Sequence, residues 1–430
     1  MNNDLIEQNV HRLLGAMTGA ATTAMVAVGD QLGLYRALAD GGPATQDELA
    51  ARTGTAARYL REWLSQQAAA GFLAYREGDG RYVLPAEAAA VLADEASPAF
   101  LAGGATITRG WFAGIDRLAG VFRTGAGISW HEQDPAVFEG TERFFRPGYT
   151  ASLTTEWVPA LPGVADRLAA GGRVADVGCG HGVAAILLAR AYPQASVHGY
   201  DFHDRSIQVA RQQAGQAGLG GRIRFEPLDA TSYPADGFDL ICLLDTLHDL
   251  GDPAAALAHA RKALAPDGAV LVVEPNAADD YAANLASPLA ALNYAASTFQ
   301  CTPAALAQPG GVALGAQAGP AAVRQLAGDA GFSRFRQVTQ TRSTSSSSSG
   351  RNGNPPHRTR IWPSPPGPHP ARRYPMIITA TPSTALAMIQ PAFTGAGRLA
   401  LAGVPGRVSR IAIPGPRVMS KTGAWLRPGG

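Results

Sequence analysis

Val174-Ala175-Asp176-Val177-Gly178-Cys179-Gly180-His181-Gly182 is an apolar run that closes on alternating glycines and passes at once into a helical pattern over residues 183–192. It reads as a buried strand, a tight turn and a helix start. Alternate glycines let the backbone come close to a ligand, and the unpaired N–H groups of the helix start face the ligand's polar end. This is a nucleotide-type pocket. Counting from Gly178, Val183 stands where G-x-G-x-x-G requires its third glycine, so the dinucleotide fingerprint is not met.

Beyond this loop, strand and helix patterns alternate, which calls for an α/β fold with a doubly wound parallel sheet. The second strand, residues 196–201, ends on Asp201, 23 residues past Gly178, where a carboxylate can accept from both hydroxyls of a ribose. A third strand, 222–228, leads to Asp229-Ala230. The fourth, 238–244, runs into Asp245-Thr246-Leu247-His248-Asp249-Leu250, and strand ends at this edge border the ligand crevice. A turn at Gly268 precedes the fifth strand, 270–275.

The D-x-G-x-G-x-G of residues 176–182 resembles the first motif of class I S-adenosylmethionine (SAM)-dependent methyltransferases. With the acids at 201 and 229 and the His248-Asp249 pair in the family's places, the chain resembles small-molecule O-methyltransferases over about residues 5–340. The resemblance implies SAM as cofactor. It assigns Asp176, Gly178, Gly180 and Gly182 to the methionine half, Asp201 with Phe202 to the ribose, and Asp229 with Ala230 to the adenine. Leu244 and Asp245 at the fourth strand's end complete the set. Tyr149 replaces the Met of the family's F-x-x-x-M segment, which touches cofactor and substrate. His248 stands in for the general base, with Asp249 beside it and Leu250 in place of the family's Trp. Each also has a plainer use: Asp201 could cap the next helix, and His248 could bond backbone.

Toward the N-terminus the patterns predict a helix over 24–39 and one opened by a Thr45–Glu48 capping box and ending near Gly54. A third follows over 56–70, then a hairpin of 72–75 with 81–84. Three helices and a hairpin make a winged helix. Arg58 and Arg61 could enter a DNA groove, yet residues 1–95 hold seven Arg against twelve Asp plus Glu, a balance that argues against a duplex reader. The remaining reading is a dimerisation and substrate-lid domain, with a homodimer and no nucleic acid. The expected division is 1–98 winged helix, 99–165 aromatic-rich helical connector, 166–340 SAM-binding Rossmann-like domain and 341–430 tail.

Charge divides the chain as well. Residues 341–430 hold twelve Lys plus Arg and no acid, leaving 24 basic against 34 acidic residues in the body, a net of −10. The tail, with fourteen prolines and a run from Ser345 to Ser349, reads as low-complexity and disordered. As a hypothesis for its origin, deleting one C from codons for Thr-Pro-Phe-Asn-Leu-Val-Leu yields the Thr-Arg-Ser-Thr-Ser-Ser-Ser found at 341–347, a frameshift. The lost strand is one that runs antiparallel between the fifth and sixth in this fold, so residues 332–338 lack a neighbour unless 376–380 substitutes.

Cys179, Cys242 and Cys301 are far apart with no C-x-x-C pair, which suggests a reducing cytosol; no Cys/His/acid group has metal-ligand spacing, so a metal-dependent mechanism is disfavoured. Asp4 and Glu7 near the start and an apolar stretch of only 20–28 argue against export or a membrane anchor. The acceptor segment, 276–317, is Ala- and Gly-rich with Asn284, Asn293, Tyr294 and Gln300 as polar handles, which favours a small, hydroxylated, largely apolar acceptor. Two other classes stay open: a SAM-sensing winged-helix regulator and an NAD(P)-linked reductase.

Overall fold

In the computed structural model, which describes residues 1–340 and 375–381, the chain opens with a 29-residue helix, α1 (Asn3–Gln31). Gly33 then takes φ +65° and α2 (Leu34–Gly41) follows. The single helix expected over 24–39 is therefore two, because a left-handed residue cannot sit inside an α-helix. α3 (Gln46–Thr53) starts on the expected capping box: Glu48 N–H donates to the Thr45 hydroxyl at 3.3 Å and Thr45 N–H to the Glu48 carboxylate at 2.9 Å. α4 (Ala57–Ala69), the antiparallel pair β1 (Ala74–Arg76) and β2 (Arg81–Val83), and α5 (Ala86–Leu92) complete the winged helix.

Its core is Leu34, Tyr35, Leu38, Leu49, Leu60, Trp63 and Leu64. From α1 only Val26, Ala27 and Gly29 are buried, while Leu5, Ile6, Val10, Leu13, Leu14 and Met17 are exposed. By length and composition α1 is apolar enough to cross a membrane, which a count of residues 20–28 alone did not show.

The connector holds α6 (Ala102–Ala113), α7 (Ile115–Thr124), α8 (Pro135–Ser152) and, after a π-helical turn Leu153–Trp157, α9 (Val164–Ala169). α8 is clamped to the N-terminal domain by Arg143, whose guanidinium donates to both oxygens of Asp30 at 2.6 and 2.9 Å and to Glu95 at 2.9 Å. The fork matches a carboxylate, so the pair fixes the helix in direction as well as position.

Alternation then resumes: β3 (Arg173–Val177), α10 (Val183–Ala191), β4 (Ser196–Tyr200), α11 (Asp204–Gln216), β5 (Ile223–Glu226), β6 (Phe238–Leu244), α12 (Pro253–Ala263), β7 (Leu264–Pro275), whose start takes in Gly268, where a turn was expected, through an irregularity in its pairing with β6. Four short helices, α13 (Tyr281–Leu285), α14 (Ala290–Ala296), α15 (Thr302–Leu306) and α16 (Pro320–Asp329), precede β8 (Arg334–Gln340). β9 (Pro375–Thr381) completes a sheet of order β5-β4-β3-β6-β7-β9-β8 in which every neighbouring pair is parallel. Successive residues of a strand serve opposite faces: Val174, Leu240 and Leu271 join one core, Ala175, Ile241 and Val270 the other. Chain order reverses beside β3, and the crevice at the carboxyl ends of such strands is where ligands sit.

β9 corrects one expectation and meets another. The expected neighbour of the last strand was antiparallel, with residues 376–380 as its substitute. The substitute is what stands there, and it runs parallel, with Met376 beside Val270 and Phe335 beside Met376. Without it, β7 would leave a row of unpaired backbone groups on this side, and the backbone of 376–381 pairs with them. The tail read as disordered thus contains a strand at Pro375–Thr381. Residues 341–374 and 382–430, including the serine run and the proposed frameshift junction, lie outside the described residues.

Candidate active site

A cavity of about 820 Å³ opens at the carboxyl ends of β3, β4, β5 and β6, and every residue that the resemblance assigned to cofactor or catalysis lines it except Gly182. A Cβ on Gly182 would lie 2.8 Å from the Phe225 ring, so this glycine lets the turn pack against β5 and contributes no wall. Gly178 is different: at φ +72°, an added Cβ would fall 2.3 Å from Thr246 Cγ2, at the mouth of the cavity.

Four carboxylates meet here because the strands that carry them are neighbours. Asp176 ends β3 almost fully buried; its Oδ2 accepts from Ala185 N–H at 3.1 Å in the first turn of α10, and burial pushes its carboxyl up to about 7. Asp201, just past β4, accepts from Gly180 N–H and His203 N–H, both at 2.9 Å. Burial raises it while those two bonds oppose the rise, and each oxygen keeps capacity for a further donor. The plainer reading as a cap of α11 does not hold, since His203 precedes that helix. Asp245, after β6, sits at the unusual φ of +48°, accepts from Tyr149 Oη at 2.8 Å and is pushed by burial to about 7. Asp229 lies exposed at the rim, one oxygen accepting from Thr231 N–H and its hydroxyl.

Phe138, Phe202 and His203 wall this half of the cavity. Phe138 stacks on His203 at 4.4 Å between centroids and 11° between planes, and His131 stands edge-on to His203 and Phe202. His181 is pulled down to about 4 by burial, so it is neutral there.

The other half is organised around His248, in a 3-10 turn Leu247–Asp249. Its Nδ1 lies 2.6 Å from Glu274 Oε2, and Glu274 is itself held by Leu247 N–H, which donates to Oε1 at 3.1 Å. The acid that orients the ring is therefore Glu274, and Asp249 lies on the other nitrogen, with Oδ1 3.4 Å from Nε2. Glu274 went unassigned, although it closes an apolar strand as Asp176 and Asp201 do. Burial draws the imidazolium of His248 down, but the facing carboxylates of Glu274 and Asp249 outweigh it and leave it well above the ordinary histidine range.

Cys301 ends a π-helical turn, Ser297–Cys301, that turns its thiol toward this pair; the donor atoms of His248, Asp249 and Cys301 lie within 4.8 Å of one another. Burial pushes the thiol up to about 12. The spacing argument saw no such group because the three are near in space and far along the chain. Above them, Trp111 of α6 stacks on Phe299 at 5.6 Å and 6°, its Nε1 donating to Gln300 Oε1 at 3.4 Å. Val26 of α1, Ile107 and Phe144 extend this apolar wall. Of the expected polar handles, Asn293 and Gln300 line the cavity. Asn284 is buried and spent on the Ala278 backbone, and Tyr294 packs against Tyr281.

A family described as a methyltransferase domain matches residues 168–320. The chain carries a methyltransferase domain. Ahead of it, residues 20–94 match an Rv2258c-like winged HTH domain. Over 129 residues the methyltransferase region is 35% identical to trans-aconitate 2-methyltransferase of Streptomyces coelicolor, covering 30% of this chain and 42% of that one. Over 159 residues it is 30% identical to a ubiquinone biosynthesis O-methyltransferase of Psychrobacter cryohalolentis, covering 36% and 58%. The chain thus spans about half the length of these curated relatives. Solved structures match far more of it. Mitomycin 7-O-methyltransferase MmcR superposes with a TM-score of 0.55 at 22% identity, over 77% of this chain and 94% of that one. Human N-acetylserotonin methyltransferase, in complex with SAM, gives 0.53 at 21%, over 75% and 92%. At these identities the likeness is one of fold, with the winged helix and methyltransferase domain in the same arrangement.

Proposed function

We propose that the protein transfers a methyl group from SAM to a hydroxyl of a small, largely apolar acceptor, with His248 as general base. One observation carries the reading: His248, held from behind by Glu274, lines the same cavity as Asp201 and the Gly178–Gly180 loop. The residues fit the cofactor, since the buried carboxylate of Asp176 and the half-buried ones of Asp201 and Asp245 suit a cation and Asp201 keeps acceptor capacity for a ribose. Bound there, SAM supplies an electrophilic methyl on a positive sulfur.

The chain's part is to hold donor and acceptor together and to take one proton. Holding two reactants in contact supplies up to ~7–11 kcal/mol of the barrier. Glu274 accepts the Nδ1 proton of His248, leaving Nε2 to receive the acceptor's hydroxyl proton. The acceptor oxygen, relieved of its proton, would then meet the methyl that bound SAM would supply, and the imidazolium stays paired with Glu274. The carboxylates that hold the ring charged in the free protein also make it a stronger base, and a cation entering the cavity works against its protonation.

Trp111, Ile107 and Phe144, with Phe299 stacked on Trp111, support a flat, apolar acceptor. The exposed apolar stripe of α1, Leu5 through Met17, supports pairing of two copies through the N-terminal domain, and three free, buried cysteines support a reducing cytosol. Incubation with methyl-labelled SAM and a panel of phenolic and alcoholic acceptors tests the function: label is expected in an O-methyl product. SAM binding with no transfer to any oxygen acceptor would defeat the reading.

A further inference from the structure

We propose that His248 Nε2, Asp249 Oδ1 and Cys301 Sγ form a binding site for a thiophilic divalent cation of the zinc class, which when filled takes the lone pair the general base needs and so switches the site off. The inhibitory half rests on the proposed function; the metal site does not.

Three features of the cluster point to a cation. The first is its donor set, one imidazole, one carboxylate and one thiol, all buried and all lining the cavity, which gives an ion a way in. The second is a distance. His248 Nε2 and Asp249 Oδ1 are 3.4 Å apart with no hydrogen bond between them, and buried Asp249 Oδ1 accepts no well-formed hydrogen bond, its carboxylate facing only the His248 ring and the Cys301 thiol. A tetrahedral zinc with Zn–N and Zn–O near ~2.0–2.2 Å separates two ligand atoms by ~3.4 Å. A buried carboxylate oxygen without a well-formed hydrogen bond is costly, and an ion at that separation satisfies it.

The third feature is the ring's setting. Metal-bound histidines nearly always give their other N–H to a carboxylate, which fixes the tautomer and aims the free nitrogen. Glu274 does this for His248 at 2.6 Å, and Leu247 N–H holds Glu274 in turn. Gln308 ties the two halves of the site together, its amide donating to Asp249 O at 2.7 Å and Ala304 O at 3.0 Å. The donors therefore sit on braced elements. Three protein ligands leave a fourth tetrahedral position toward the cavity. Because the ion occupies Nε2, no nitrogen of His248 remains to take an acceptor proton.

Cobalt(II) added to the full chain tests the site without turnover. A thiolate-to-cobalt charge-transfer band saturating at one equivalent is expected, absent in Cys301→Ser. Glu274→Gln should weaken zinc binding by ~10–100-fold in calorimetry. No band in the wild type, or a band that survives Cys301→Ser, overturns the site. X-ray absorption of the wild-type zinc form needs no variant: one sulfur at ~2.3 Å with nitrogen or oxygen ligands supports it, and two sulfurs or none overturns it. Zinc should also stop methyl transfer and a chelator restore it; zinc binding that leaves the rate unchanged overturns the switch. Cobalt binding in a protein that methylates nothing keeps the metal site and breaks the functional reading.

Discussion

The two halves of the cavity are built by opposite means. On one side, Asp176, Gly178, Asp201 and Asp245 sit at or just beyond the ends of adjacent parallel strands, so each falls into place once the strand order is set. On the other, Val26, Trp111, Glu274 and Cys301 come from α1, α6, β7 and a π-helical turn, and only packing brings them together. The first half suits a ligand common to many proteins, and the proposed function gives the second half the choice of acceptor. Damage on one side should leave the other side's binding intact, and that separation is open to test.

The largest effect is expected at His248. His248→Ala should lower the methyl-transfer rate ~10²–10⁴-fold while SAM affinity by calorimetry stays within error. A variant as fast as the parent would make the ring structural and move chemistry out of the acceptor half. Next comes Asp201→Ala, which removes a carboxylate anchored by Gly180 and His203. SAM affinity should fall at least ~10-fold with the acceptor KM unchanged; an equal loss in both would mean the halves are not separate.

Trp111→Ala addresses the acceptor wall. Removing a stacked ring costs ~0.5–1.5 kcal/mol beyond its buried area, so the acceptor KM should rise about 2- to 10-fold with SAM affinity preserved. A loss of SAM affinity instead would show that α6 serves the cofactor.

The smallest effect is a pH dependence. Asp176 is protonated below about pH 7 in the free protein, and a cationic cofactor prefers it ionised. SAM affinity should tighten as pH rises from 6 to 8, by no more than ~10-fold per pH unit for one proton, and a flat or reversed trend in calorimetry removes Asp176 from the cofactor's partners. The same shift acts on stability with a fixed sign. A carboxyl raised from 3.8 to about 7 contributes fully below pH 4 and loses that contribution as pH climbs through 7.

Much of this was legible in the chain before folding. The apolar run into alternating glycines, the Thr45–Glu48 capping box and the acids closing successive strands are local signals, and each is reproduced within a residue or two. They are legible because a turn, a cap and a strand end depend on residues within one or two turns of one another. The sequence by itself thus determined the parallel strands from β3 to β7, the winged helix and the strand-end acids of the cavity.

What it could not show were relations between distant segments. Glu274 lies 26 positions from His248 and Cys301 lies 53 away, and no periodicity couples them. Gly33 broke a helix that apolar periodicity ran through, since φ is a backbone choice that hydropathy does not record. The parallel entry of β9 depended on an open edge of β7, a property of the assembled sheet that residues 375–381 do not carry. Tertiary structure alone decided the pairing of His248 with Glu274, the Trp111–Phe299 stack and the His248–Asp249–Cys301 cluster, because each exists only where packed elements bring side chains within a few ångströms.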